Sequence, residues 1–114
     1  MIVIKGNVPS KSNCYGVSKF KGLYKKDNLK KFEQSFYLQL PASHRNTNHK
    51  GLFEFEVNVY YPSMRSDLDN SLKILLDCLQ HTKTIENDNK CVRIVAQKFI
   101  DKENPRCEFK IVLI

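Results

Sequence analysis

Asp67, Asp69, Asn70 and Lys73 cluster at the mouth of an apolar stretch, and Asp88 follows in a polar turn beyond it. Carboxylate oxygens are hard ligands, and a small group of them suits Mg²⁺, which keeps several of its waters and takes few protein donors. These residue types therefore suggest a metal site, and the remainder of the chain reads as a scaffold with a basic surface for a polyanion.

The spacing dictates what must position them. Two side chains two residues apart on one helix diverge by roughly 200° at 3.6 residues per turn, so Asp67 and Asp69 converge only if Asp67 precedes the helix. Capping preference puts it there, with Asp67 as N-cap and Ser66 as the other candidate, and first-turn carboxylates face the positive end of the helix dipole. Lys73 follows Asp69 by four residues and lies on the same face about one turn on. Leu68, Leu72, Leu75, Leu76 and Leu79 repeat at the spacing of a core-facing stripe, which leaves the other face for chemistry.

The 114 residues are long enough for one domain, residues 1–114, with a modest core that dimerisation would help. The net charge of +7 is uneven: residues 1–50 hold nine Lys and one Arg against two acids, while residues 51–114 are close to neutral. A basic half implies an acidic partner, most plausibly nucleic acid. No segment reaches the apolar length of a membrane span and the N-terminus lacks a signal-peptide pattern. Cys14, Cys78, Cys91 and Cys107 are too widely spaced for a C-x-x-C redox or zinc pattern and read as reduced, mostly buried thiols of a cytosolic protein.

Along the chain, Ile2 to Lys5 reads as a first strand and residues 7–24 as a long polar segment with interleaved Tyr15, Phe20 and Tyr24. Lys11, Lys19, Lys21, Lys25, Lys26, Lys30 and Lys31 crowd this region, and lysines beside aromatics suit phosphates and unstacked bases. A helix is expected from Asp27, as N-cap, to Leu40, with Leu29, Phe32, Phe36 and Leu40 toward the core and Pro41 as terminator. Residues 41–51 form a polar loop whose His44 and His49 lack a third metal partner at sensible spacing. The alternation in residues 52–61 predicts a strand with Phe53, Phe55, Val57, Val59 and Tyr61 inward and Glu54, Glu56 and Asn58 outward. His81 suits the end of the second helix by its charge when protonated. Strands follow at 91–100 and 107–114, and the short DKENPR connection predicts an antiparallel hairpin. The order β-α-β-α-β-β gives an α/β (α+β) fold with helices packed on a mixed four-stranded sheet.

Asp67-Leu68-Asp69-Asn70 followed by Lys73, then Leu-Leu-Asp-Cys-Leu and Glu86-Asn87-Asp88, resembles the RusA family of Holliday-junction resolvases. That family's pattern is D-L-D-N-x-x-K, a helix of the L-x-D-A-L type and an acidic E-D-D-x-Q turn before a strand. Pro9-Ser10 with Asn13 and Tyr15 is similar to the family's early P-S-x-N segment. The resemblance implies a small homodimeric endonuclease, bacterial or phage-encoded, cytoplasmic and nucleoid-associated. It cuts four-way DNA junctions with Mg²⁺, for which Mn²⁺ substitutes, and uses no small-molecule cofactor. Carried over by position, the metal ligands are Asp67, Asp69 and Asp88, the essential lysine is Lys73, and Asn70 is the motif asparagine beside the DNA. Three positions depart from the pattern: Asn87 replaces an acid, Lys90 replaces Gln, and no Gly precedes Asp88 in the turn.

On this reading the chemistry is metal-assisted phosphodiester hydrolysis, with Lys73 stabilising charge on the scissile phosphate or positioning the water. The rival reading is a catalytically inactive junction- or nucleic-acid-binding protein descended from such an enzyme, with Asn87 as the mark of decay. A calcium-binding EF-hand is excluded, since Leu72 stands where that loop needs Gly and the loop would have to run through an apolar helix.

Overall fold

The computed structural model describes residues 1–10, 15–20 and 22–114. Strand β1 (Ile2–Lys5) leads to a hairpin of β2 (Tyr15–Ser18) and β3 (Gly22–Lys25), helix α1 (Asp27–Gln39), strand β4 (Phe53–Tyr61), helix α2 (Leu68–His81) and strands β5 (Cys91–Ile100) and β6 (Arg106–Leu113). Short 3₁₀ turns occupy Ala42–His44 and Asp88–Lys90. The main sheet has the order β1-β6-β4-β5 and is mixed: β4 runs parallel to β5 and antiparallel to β6, which also pairs with β1.

The alternation along β4 does what its period requires. Phe53, Phe55, Val57, Val59 and Tyr61 are all buried, and the residues between them are half-exposed on the other face. Glu54 and Glu56 sit on that outer face, paired with Arg93 at 3.7 Å and Lys110 at 3.2 Å. The helices cover the inner face. From α1, Leu29, Phe32 and Phe36 enter the core, where Phe36 stacks on Phe109 of β6 at 5.9 Å between ring centres. Full burial of each such aromatic contributes about 1.5–3 kcal/mol, so this layer is the main anchor of α1. Lys26, rather than Asp27, is the N-cap of α1, and Asp27 is instead the acidic residue of the first turn.

The predicted hairpin between β5 and β6 does not form. The two strands are antiparallel, but β4 lies between them and pairs with both. Asp101 N–H donates to Tyr61 O at 2.8 Å, so the connection passes over the end of β4. Two strand spacings, ~9.5 Å, are within reach of a five-residue link. The shortness of the turn fixed the strand direction but not adjacency, because β4 is apolar on one face and offers both its edges. Arg106 braces the turn, with Nη1 at 2.9 Å from Asp101 Oδ2 and Nε at 3.1 Å from Glu108 Oε2.

A second difference lies in residues 7–24, read as a long polar segment with no strand of its own. Here β2 and β3 pair antiparallel with Tyr15 opposite Lys25, Gly16 opposite Tyr24 and Val17 opposite Leu23. Gly16 leaves room for the Tyr24 ring, which a Cβ there would meet at 2.6 Å and push aside. Gly22, at φ +64°, supplies the left-handed residue with which β3 begins. These glycines break the alternation by which a strand is recognised.

Helix α2 is also turned slightly from the expected stripe. Ser71, Ile74, Leu75, Leu76, Cys78 and Leu79 are buried, whereas Leu68 and Leu72 are only partly so. The first turn rotates because Tyr61, at the end of β4, donates its hydroxyl proton to Ser71 Oγ at 2.5 Å and draws that side inward. Among the described residues, no helix is long and apolar enough to cross a membrane.

Candidate active site

Asp67 is the N-cap of α2, in extended conformation, and its side chain makes no capping hydrogen bond. Its carboxylate is therefore not used by the helix end and stays exposed, as does that of Asp69 in the first turn. Asp69 Oδ1 accepts the Asn70 N–H at 3.0 Å. Both carboxylates lie close enough to Tyr61 to act on its phenol, which is held above its ordinary value first by burial and then by these two charges. Both aspartates therefore stand at the same end of α2, above the buried Tyr61.

The turn that delivers Asp67 is fixed from a distance. Lys98, on β5, donates from Nζ to Met64 O at 3.0 Å and to Ser66 O. Tyr61 OH also lies 3.5 Å from Asp67 O. Backbone carbonyls on either side of Arg65 are thereby tied to the sheet, and the N-terminus of α2 is held against the end of β4.

Asp88 reaches the site from the other direction. It opens the 3₁₀ turn, where Asn87 is the N-cap and accepts Asn89 N–H on its side chain at 3.0 Å. The Asp88 N–H donates to Gln80 Oε1 at 3.0 Å, which ties the turn to α2. Its Oδ2 lies 2.5 Å from Lys73 Nζ, and the same ammonium sits 3.0 Å from Asp77 Oδ1. These acceptors, Asp88 first and Asp77 second, raise the Lys73 pKa above its ordinary value, so the side chain is a full cation at neutral pH.

Asp69, Lys73 and Asp77 follow one another at four-residue intervals, and His81 continues the row. His81 Nδ1 is 3.0 Å from Glu33 Oε2 on α1, and the same Glu33 oxygen accepts from Lys25 Nζ at 2.9 Å. One polar face of α2 therefore runs from the exposed carboxylates through Lys73 to the base of the hairpin. Of the residues on it that sequence reasoning passed over, Asp77 carried a signal, its i, i+4 spacing from Lys73. Gln80 and Lys98 carried none, since both act across the fold.

Among the described residues, no three His, Cys, Asp or Glu side chains are gathered closely enough to enclose a metal ion. The structure brings Asp67 and Asp69 to one end of α2 and Asp88 to Lys73. As a donor set the three aspartates still fit a hard divalent cation, being all oxygen and either exposed or half-buried. The histidines make other contacts: His44 Nδ1 lies 3.2 Å from Ser43 Oγ, and His49 Nε2 lies 3.2 Å from Leu52 O. Of the predicted nucleic-acid contacts, Lys19, Lys26, Lys30 and Lys31 are exposed and Lys25 is held by Glu33. Lys11 and Lys21 lie outside the described residues, as does Cys14.

The family model for the endodeoxyribonuclease RusA matches residues 6–112. The chain belongs to the RusA family. Comparison with individual curated proteins gives no match. The RusA match takes in both helices, strands β2 to β5 and nearly all of β6, together with every side chain of the polar face of α2. It makes the protein a member of a family of DNA endonucleases. Within that setting Asn87, the departure nearest the site, has a visible role, since it caps the turn that presents Asp88. An amide oxygen serves there as well as a carboxylate does.

Proposed function

We propose that this RusA-family protein is a Mg²⁺-dependent, structure-selective endonuclease that resolves four-way DNA junctions by paired phosphodiester cuts in DNA recombination and repair. Residues 1–114 act as one RusA-like endonuclease domain. Asp67, Asp69 and Asp88 are the metal ligands and, with Lys73, the catalytic residues. Asn70 and Lys11, Lys19, Lys21, Lys25, Lys26, Lys30 and Lys31 contact the DNA. The observation that carries the reading is the Lys73 ammonium held between Asp77 and Asp88 on the helix face that begins with Asp67 and Asp69.

That arrangement suits phosphoryl chemistry. Lys73 is fixed on an exposed face, where a phosphate oxygen can compete with its two carboxylates, and its fixed position means little reorganisation as charge develops. Asp67 and Asp69 hold hard oxygen donors at a helix N-terminus and Asp88 brings another on a turn tied to Gln80. When bound, Mg²⁺ supplies an activated water and charge for the leaving 3′ oxygen. Cuts in a two-fold junction call for two sites related by the same symmetry, hence a homodimer. The protein works in the bacterial cytoplasm, on host or phage DNA.

The test is a labelled four-way junction and a linear duplex of the same arms, each incubated with Mg²⁺ and with EDTA, using the natural chain and Asp69→Asn. Symmetric paired nicks in the junction alone, lost with EDTA and in the variant while binding persists, are expected. Tight junction binding with no cleavage by the natural chain would replace this reading with the inactive binding protein.

A further inference from the structure

The β2–β3 hairpin leaves the body of the protein with an apolar edge that no other described element covers. Phe20, at its tip, is 94% exposed, and the paired Val17 and Leu23 are 83% and 70% exposed. Exposed apolar groups are ordinary singly, but a run of them on one projecting element marks a contact surface. Tyr15 and Lys25 are paired one step toward the base, on the hairpin face that carries Val17 and Leu23. Tyr15 packs against the core and Lys25 is bound to Glu33. The apolar edge therefore runs outward from an anchored root.

Two described residues shape the approach to the tip. Phe20 N–H is held by Ser18 Oγ at 3.2 Å, and Gly22 takes the left-handed conformation just beyond the loop. Phe20 stands between Lys19 and Lys21 in the sequence, and Lys26 and Lys30 lie exposed beyond the root. Cations around an aromatic tip are complementary to a polyanion with unstacked bases and unfavourable to an apolar protein surface. The root also fixes where the tip works. Glu33 ties Lys25 to His81, which stands eight residues from Lys73 on the same face of α2, ~12 Å along the helix.

We infer that the β2–β3 hairpin is a branch-point wedge, with Phe20 inserted between bases at the crossover of a DNA junction while Lys19, Lys26 and Lys30 hold the flanking phosphates. The inference rests on the junction reading and adds the element that distinguishes a branch from a duplex. A continuous duplex offers no open base step to a hairpin tip, whereas the crossover does, so stacking is gained only on branched DNA.

The test places 2-aminopurine at the crossover of a four-way junction, or within an arm, and follows its fluorescence on binding in EDTA, with binding checked by mobility shift. The expected result is a rise at the crossover only, lost in Phe20→Ala, kept in Phe20→Trp, and a fall of about 10-fold in the preference of Phe20→Ala for junction over duplex. Junction binding by the natural chain without any crossover signal would overturn the wedge and leave the junction reading intact. Equal binding of junction and duplex by the natural chain would overturn both. A dimer that becomes monomeric in Phe20→Ala, by analytical ultracentrifugation, would overturn the wedge in favour of a contact between two copies of the chain.

Discussion

Lys73 and Asp88, fifteen residues apart, meet with Nζ 2.5 Å from Oδ2, and Asp77 holds the same ammonium from within the helix at 3.0 Å. A cation shared by two carboxylates keeps one acceptor if a metal takes the other. Lys73→Met should lower single-turnover cleavage about 100-fold with junction affinity changed less than threefold, the pattern of charge stabilisation at the reacting phosphate. Asp77→Asn should fall between, with a drop in rate of about 10-fold and no loss of Mg²⁺ affinity by titration calorimetry. Equal damage to metal binding in Asp77→Asn would make Asp77 a ligand.

The exposed lysines of α1 differ from Lys25, which Glu33 already neutralises. Lys26→Ala combined with Lys30→Ala should weaken binding to junction and duplex alike and reduce the slope of log affinity against log salt by about 2. Lys25→Ala should change that slope by less than either of the others. An unaltered slope in the double variant would remove this helix face from the DNA surface.

Tyr61→Phe should destabilise the fold by about 1 kcal/mol, because the buried Ser71 hydroxyl loses its partner on β4. Thermal denaturation should show a fall of about 4 °C. Since Tyr61 also lies against Asp67, cleavage should weaken more in Tyr61→Phe than in a variant equally destabilised elsewhere. Loss of stability alone would show that Tyr61 serves the core only.

Burial pushes the Cys107 thiol up to about 12 and raises that of Cys78 further still. The folded state thus favours the neutral thiols, and their contribution to stability is fully present below about pH 9, the ordinary value. It is lost as pH rises from there toward 12, because the unfolded chain ionises first. Urea denaturation between pH 8 and pH 11 should show stability falling through this window. In native protein at pH 8, a thiol reagent should modify Cys91 and spare Cys78 and Cys107, and mass spectrometry after digestion identifies the labelled positions.

Much of the site was legible because its rules are local. Capping placed Asp67 ahead of α2, and helical spacing put Lys73 one turn beyond Asp69. The strict alternation of β4 announced a sheet with one buried face. What could not be read was decided across the fold. Lys98 reaches carbonyls 34 and 32 residues away, and the contact of Lys73 with Asp88 depends on how Gln80 tethers the turn. The separation of β5 from β6 by β4 follows from competition among strand edges, on which a turn sequence is silent. In the hairpin, Gly16 and Gly22 hid two strands because glycine carries no side chain to mark the alternation.

The interior place of β6 bears on how a ribosome makes this protein. Strands β1 and β4 emerge early, yet each must wait for the chain as far as Leu113 before β6 can lie between them. Until then β4, with Phe53, Phe55 and Val57 on its inner face, lacks one of its two strand neighbours. Pairing that spans so much of the sequence closes slowly, so the sheet cannot join β1 to β4 until β6 has emerged. A pause or break in translation before residue 106 would leave at most the β4–β5 pair of the main sheet, with the inner edge of β4 open and β1 unattached.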